Sequence, residues 1–513
     1  MFFDVKESET KLTRSGVNKI GKLNFLKTAD ISTSPIGVGL EKADAGLYDP
    51  SYAYPYLKEI GAKWVRIQSG WHRCERVEGV YEFEWLDSMV DGLLDAGCIP
   101  WMCLCYGNSL YDPEAPRGGR CNSRPPIYTQ VQRTAWLKYV RATVERYKGK
   151  VLYYELWNEP DGLHCWGKGV NGREYSQFAK ETARVVKEVD PNCKVIGGSM
   201  CNLVRSERFY DENEIGIQFD DNPRVSKFME EWIDQEVCEL IDYVTFHCYI
   251  PTPERKMDEV YLEIRKTLDQ FNPNIGIIQG ETGVHSRFSR QGALNTGEWT
   301  EAGQVKYLLR RLITDVSHGA FFASYFTLLD MYENLSEKVT TINKEMYGTY
   351  GVLGAEFDEN DHPTGGYIVK PSYHALRCIS TMMAEGVKVL DDKAIFGRTL
   401  NCYWGTPDMD EQALMGNKLT TYTFEKKGGD VFYVYYLAAP ILGFDYDGST
   451  SLRLPKPMSR PAVLDMATGD ICEIDSEHIT EYEGDQVLLR VRMRDYPMAI
   501  IDLDDTTLPI ELN

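Results

Sequence analysis

The chain is 513 residues long, 43% hydrophobic and 26% charged, with 77 acidic against 56 basic residues and a net charge of −21. That length is enough for two or three domains, and the composition is that of an ordinary soluble globular protein. The acidic balance argues against nucleic acid or an anionic membrane as a partner, because phosphates would be repelled, and leaves a neutral ligand such as a sugar open.

The N-terminus, MFFDVKESETKLTRSG, lacks the basic start and apolar stretch of a signal peptide. No run of about 18 apolar residues marks a membrane span. Of the 13 cysteines, Cys103 and Cys105 lie two apart without a second pair to complete a zinc cluster. Buried free thiols in a reducing cytoplasm are expected, with no metal and no cofactor. The 10 Trp and 32 Tyr suit stacking on sugar faces as well as a large core.

The first 33 residues are read as an N-terminal extension that either adds a strand to C-terminal sheets or caps the base of the domain beginning at residue 34. From there, short apolar runs alternate with longer amphipathic stretches. Eight strands are expected at 35–41, 64–70, 99–107, 151–159, 193–199, 243–249, 275–281 and 320–329. Helices are expected at 83–97, 129–149, 173–190, 224–242, 258–271, 301–319 and 370–386, several of them ending at Gly. Strict alternation implies a parallel sheet, and eight strands over 34–386 fit an α/β (β/α)8 TIM barrel. A doubly wound open sheet is disfavoured, because no glycine-rich phosphate fingerprint follows the first strand. After about residue 387 the texture turns to paired strands, at 418–440, 461–474 and 486–503, read as a β-sandwich over 387–513.

In this register Glu159 ends strand 4 and Glu281 ends strand 7. Both stand at the C-terminal strand ends, where barrel enzymes carry their chemistry. Strands 4 and 7 face each other across the mouth, so folding would bring together two carboxyl groups 122 residues apart in sequence. Such a pair suits cleavage of a glycosidic bond: one group protonates the departing oxygen, the other attacks the anomeric carbon or activates water. Glu298 and Glu301 are weaker candidates, one in a loop-like run and the other opening a helix. Glu155, inside strand 4, is read as structural.

Trp157-Asn158-Glu159-Pro160 closely resembles the acid/base motif of the retaining glycoside hydrolases of clan A, and GIIQGETG places Glu281 where that clan carries its nucleophile. The chain is most similar to glycoside hydrolase family 39, the β-xylosidase-like family, and its close relatives. AKWVRIQSGW, GVYEFEWLDSMVDGLLDAG, DYVTFHCY and KPSYHAL add to the likeness, which covers roughly 35–386. The resemblance implies that Glu159 is the acid/base, Asn158 contacts the sugar's 2-hydroxyl, and Glu281 is the nucleophile. It further implies that Arg66 contacts the nucleophile, His247 lines the cleft and Tyr249 hydrogen-bonds the nucleophile. The clan's strand-8 tryptophan is replaced here by FFASYFTLLDMYE, where Tyr325 or Phe326 would floor the sugar subsite.

Trp71, His72, Tyr106, Asn108, His164, Trp166 and His285 fall in loops after strands 2, 3, 4 and 7, where specificity resides in barrels. His318 and His374 fall in helices and are read as packing or surface residues. The expected enzyme is a retaining, exo-acting O-glycosidase working on short oligosaccharides, xylosides first, with glucosides, galactosides and arabinosides open. In it the charge of Glu281 would raise the pKa of Glu159 and keep it protonated. A transglycosidase using the same pair and a non-catalytic carbohydrate-binding barrel are the alternatives. The sequence leaves the oligomeric state open.

Overall fold

A computed structural model describes residues 2–5, 13–115, 124–167, 169–202, 226–254, 257–332, 342–399 and 419–513. Eight parallel strands close into a barrel: β1 (Ile36–Gly39), β2 (Trp64–Gln68), β3 (Ile99–Leu104), β4 (Tyr153–Leu156), β5 (Lys194–Met200), β6 (Tyr243–His247), β7 (Gly276–Thr282) and β8 (Ala323–Tyr325). β8 pairs with both β1 and β7, which leaves no free edge. A helix follows each strand: α1 (Tyr54–Ile60), α2 (Glu84–Asp95), α3 (Gln130–Tyr147), α4 (Gly172–Val189), α5 (Gln235–Leu240), α6 (Met257–Asp269), α7 (Glu301–Ser317) and α8 (Pro371–Met382). The fold is therefore the (β/α)8 barrel, with antiparallel sheets after it.

The strands are apolar because they are buried on both sides. Val65, Ile67, Met102, Tyr154 and Val244 join the large core cluster. Trp64, Trp101, Ile196, Ile278 and Phe322 form a separate interior cluster, with Trp64 stacked on Phe322 at 4.4 Å between ring centroids. That plug fills the lower barrel and leaves only the C-terminal mouth for a site.

Caps fix where the helices begin. Thr129 and Gln132 form a capping box at α3, and Asn171, Asp234 and Thr300 accept first-turn N–H groups of α4, α5 and α7. The single helix expected over 224–242 is two, Lys227–Trp232 and α5, because Ile233 is extended and Asp234 starts the chain afresh. α1 falls outside the expected set. It is only seven residues long and carries Pro55 in its first turn.

Two antiparallel sheets follow the barrel, and each takes a strand from the N-terminus. Lys19–Leu23 lies between Asp470–Glu473 and Ile510–Leu512 in an eight-stranded sheet, and Phe2–Val5 runs parallel to Ile395–Thr399 in a five-stranded one. The strands Asp485–Arg494 and Met498–Asp502 lie in different sheets, five-stranded and eight-stranded respectively. No described helix is long and apolar enough to cross a membrane. The 11 described cysteines are all free thiols.

Candidate active site

The site starts from a break in β4. Trp157 and Glu159 hold φ values of +74° and +45°, a left-handed backbone that costs a side-chain-bearing residue of order 1 kcal/mol or more. The surroundings impose it. The Trp157 indole donates to Cys165 O at 2.9 Å, and Asn158 Nδ2 donates to Cys165 Sγ at 3.3 Å. The two turns swing Asn158 and Glu159 over the mouth.

β7 reaches the same place by a register shift. His247 pairs with Glu281 instead of Gly280, so one residue is bulged out between β6 and β7. Gly280 permits this: a Cβ there would lie 2.3 Å from Thr245 Oγ1. Glu159 and Glu281 consequently meet, with a carboxylate oxygen of each and His247 Nδ1 all within 4.8 Å of one another.

Arg66 organises the floor. Fully buried, its guanidinium donates through Nη1 to Glu281 at 2.7 Å, through Nε and Nη2 to Glu155 at 2.9 and 2.6 Å, and through Nη2 to Asn158 Oδ1 at 2.8 Å. The Trp101 ring lies 5.4 Å below it. Glu155, read as structural, is the carboxylate that fixes this guanidinium, and Ser199 donates to Glu155 in turn. Tyr249 donates to the other oxygen of Glu281 at 2.6 Å. Burial and the charge of Glu281 push the Tyr249 phenol well above its ordinary range, so it stays a donor.

Glu159 has a different environment. His247 Nδ1 meets its Oε1 at 2.9 Å, and His164 Nε2 is hydrogen-bonded to its Oε2. Burial pushes this carboxyl up, but the hydrogen bonds and positive charge of the two histidines outweigh it and hold the group below the ordinary carboxylate range. The expected rise in the Glu159 pKa is thus corrected for this arrangement. Correspondingly, the hydrogen bond to Glu159 raises His164 against its partial burial. The Glu281 charge and the Glu159 bond raise the buried His247. The 2.9 Å contact is a hydrogen-bond length. Two ligands of a tetrahedral ion at about 2.0–2.1 Å would stand roughly 3.3 Å apart, so these groups are spaced for proton exchange.

Glu41, just past β1, is a further carboxylate that sequence reasoning missed. Its Oε1 lies 3.6 Å from Arg66 Nη1, and Thr327 Oγ1 donates to its Oε2 at 3.2 Å. Burial pushes it up to about 7 against the pull of Arg66. A single Glu after strand 1 carries no motif. The strand-end position was the only signal.

The remaining expected residues divide. Tyr106 is buried, and its hydroxyl accepts a hydrogen bond from Gln68 at 2.9 Å. His72 Nδ1 lies 3.3 Å from Asn108 Oδ1, and Asn108 Nδ2 donates to Glu75 O, so this pair shapes the loop. Trp71 is a correction. Its ring packs among Tyr111, Trp136 and Tyr139 behind the strands, and its N–H donates to Glu75 at 2.6 Å. Trp166 likewise packs on Trp157, Tyr175 and Phe178 in the core. His285 is fully buried, with Nε2 2.9 Å from Gln291 O and its ring on Tyr350, and so ties loops together. Tyr325 turns to Val284 O at 3.3 Å, and the neighbouring Phe326 packs edge-on against Tyr249. Of the two rings expected at the floor, Tyr325 is therefore the one fully buried in the core. Glu301 opens α7, as its position suggested.

A (β/α)8 barrel with two glutamates converging over its mouth defines the chain as a barrel glycoside hydrolase. Residues 53–395 match the family described as glycosyl hydrolases family 39, and the chain belongs to that family. A β-xylosidase of Geobacillus stearothermophilus is 24% identical over 385 residues, which cover 69% of this chain and 68% of that protein. Among solved structures, a family 39 glycoside hydrolase from Bacteroides cellulosilyticus WH2 superposes with a TM-score of 0.58 at 16% identity, covering 91% of this chain and 80% of that one. A family 39 β-xylosidase from Caulobacter crescentus superposes at 0.53 and 14% identity, covering 95% and 99%. At these identities the structures speak for the fold alone.

Proposed function

We propose that the enzyme is a retaining, exo-acting glycosidase for short oligosaccharides or glycosides, with Glu281 as nucleophile and Glu159 as acid/base. The observation that carries this reading is that one imidazole nitrogen, His247 Nδ1, lies 2.9 Å from Glu159 and 3.6 Å from Glu281, with the nearest oxygens of the two carboxylates inside 4.8 Å of each other. Retaining enzymes hold their pair at about 5–5.5 Å, whereas inverting enzymes need about 6.5–9.5 Å to admit a water between. The donors around each glutamate support the division of roles. Glu281 faces Arg66 and Tyr249, both fixed donors, which aim one carboxylate oxygen at the anomeric carbon. Glu159 faces two imidazoles that exchange protons near neutral pH, as a group that must give up a proton and then recover it requires. Asn158 accepts from the same guanidinium that holds Glu281, which supports its assignment to the sugar's 2-hydroxyl. The β-xylosidase name of the Geobacillus relative puts xylosides first.

A panel of nitrophenyl glycosides, with the product anomer read by proton NMR, tests this. Retention of configuration is expected, and an inverted first product would overturn the assignment of Glu281. Glu281→Ala should lose all turnover. Glu159→Ala should spare dinitrophenyl over nitrophenyl or alkyl substrates by 10²-fold or more, since general-acid help is worth about 10²–10⁴. Equal losses on good and poor leaving groups would remove Glu159 from the role.

A further inference from the structure

In the arrangement described, neither oxygen of Glu159 is free to meet a glycosidic oxygen. His247 occupies Oε1 and His164 occupies Oε2. The two imidazoles differ in how firmly they are held. The His247 side chain is fully buried at the end of β6. The His164 side chain is half exposed and stands on a single helical turn, Leu163–Trp166, at the rim of the mouth. Only His164 can yield to a substrate entering from solvent.

The turn is shaped to bring this imidazole back over the carboxylate. A Cβ at Gly162 would lie 2.5 Å from His164 Cε1 and 3.2 Å from Cys201 Sγ, so any side chain there would drive the ring away. Asp161, one residue earlier, is pinned by the N–H groups of Cys201 and Asn202 at 2.9 and 2.6 Å. The loop is thus fixed on one side and open for the imidazole on the other. Among the described residues, the titratable and charged groups facing that imidazole are Glu159 and Asp161 from its own loop, Cys201 past β5, His247 on β6 and Glu281 on β7. Arg66 and Tyr249 lie beyond Glu281.

We propose that His164 is a proton-holding positioning residue for the acid/base, parking the catalytic proton on Nε2 while the site is empty and returning it to Glu159 Oε2 when the leaving-group oxygen displaces the ring. The inference rests on the assignment of Glu159 as acid/base. The step balances. The imidazolium N–H bond breaks, the carboxylic O–H bond forms, and a neutral imidazole and a neutral Glu159 replace the ion pair. Glu159 then passes that proton to the glycosidic oxygen. When water attacks the glycosyl-enzyme, Glu159 takes a proton from it, and the departure of the product lets His164 draw the proton back. The rise in the His164 pKa and the fall in that of Glu159 are the signature of such sharing.

The test is the pH profile of kcat/KM on a nitrophenyl glycoside that the wild type hydrolyses, with the matching dinitrophenyl glycoside as control. His164→Gln keeps a donor for Oε2 and cannot hold the proton. Gly162→Ala keeps the histidine and displaces it. In both variants the alkaline limb should move to lower pH by about one unit or more, because the proton loses the imidazole at Oε2 and is left to Glu159 and the His247 that remains on Oε1. The acidic limb should stay, and the control substrate should show no shift. An unmoved alkaline limb in His164→Gln, or an equal shift with the control substrate, overturns the proposal. A merely structural role would change kcat or KM without moving the limb. Nitrogen-15 histidine NMR gives a second reading. The resonance missing from His164→Gln should titrate above the ordinary value of about 6.5 in the wild type and fall back in Glu159→Gln. A resonance titrating at about 6.5 in both overturns the proposal as well. If instead Glu159→Ala fails to discriminate between leaving groups, it is the assignment of Glu159 that falls.

Discussion

Asp44 shows what a single unpaired carboxylate does to this fold. It lies in the loop after β1, 4% exposed, with no described side-chain donor on either oxygen. Burial pushes its carboxyl up to about 7, against weaker pulls from the backbone N–H of Ala45 and the charges of Arg73 and Lys42. In the unfolded chain the group titrates near 3.9. A raised folded value means that the native state prefers the neutral form. The stability this provides is complete below about pH 4 and is lost as pH rises through about 7. The cost at pH 8 is of the order of a few kcal/mol, since raising a pKa by one pH unit is worth about 1.4 kcal/mol. Asp44→Asn keeps the shape and removes the charge. Its melting temperature should exceed the wild type's at pH 8 and match it near pH 4, by calorimetry at both pH values. An equal offset at the two would show that Asp44 is not the titrating group. Asp44 was illegible in the sequence because an acidic residue in a loop reads as solvated until the chain buries it, and Glu41 offered only its place at the end of the first expected strand. The same holds for Trp71 and Trp166. Their positions after strands 2 and 4 were read correctly, but position does not say which way a ring turns. The sign of the Glu159 shift was hidden too, because it depends on an imidazole whose approach is set by the absent Cβ at Gly162.

At the scale of the element, the strand ends carry the site's accuracy. The eight parallel strands were legible because burial on both faces leaves uninterrupted apolar runs, and their ends located Glu159 and Glu281 without any geometry. What the runs could not show is the bulge that sets Glu281 opposite His247. That offset depends on Gly280. Adding a methyl group would put carbon 2.3 Å from Thr245 Oγ1 and 3.3 Å from the Trp101 ring, so β6 and β7 must part. The barrel tolerates a local parting, because the plug of Trp64, Trp101 and Phe322 still closes its base. The catalytic geometry does not, since a misplacement of about 1 Å costs roughly 10²-fold. Gly280→Ala should therefore fold with near wild-type circular dichroism and lose about 10²-fold in kcat. Removing the obstructing oxygen in the double variant Gly280→Ala/Thr245→Ala should recover at least tenfold of that loss. Thr245 Oγ1 has no hydrogen-bond partner among the described residues, so its own removal costs little. A double variant no better than the single would mean that Gly280 matters for another reason.

At the scale of the whole molecule, α7 joins the barrel to the sheets that follow it. An outer-ring helix ordinarily shows a polar face to water. Every residue of α7 from Gly303 to Val316 is buried, Lys306, Arg310, Arg311 and Asp315 among them. The polar face is covered by the C-terminal sheets and used there. Arg310 donates to Ala439 O at 2.7 Å and to Glu254, and Lys306 donates to Phe444 O at 2.8 Å and Asp495 at 2.6 Å. Lys306 and Asp495 are both nearly inaccessible, which makes theirs a buried pair across the junction. Removing Asp495 leaves Lys306 only the mostly exposed Asp445 at 3.3 Å, and costs a share of the about 3–5 kcal/mol of a buried charge left wholly unpaired, still more than an exposed pair is worth. The two sheets also take their strands from both ends of the chain, so neither half is complete without the barrel between them. The barrel and the sheets should therefore unfold as one unit. Asp495→Ala should lower the melting temperature by several degrees, with one calorimetric transition, and tryptophan fluorescence should move with it. Nine of the ten tryptophans lie between residues 64 and 299, so fluorescence chiefly follows the barrel. A low-temperature transition that left the fluorescence untouched would show the sheets melting alone, and the buried pair would then be a local contact with no part in holding the barrel. Conversely, replacing both members with apolar residues of similar size, Lys306→Met with Asp495→Leu, should recover most of the lost stability, because the junction needs its charges paired or absent and does not need them present.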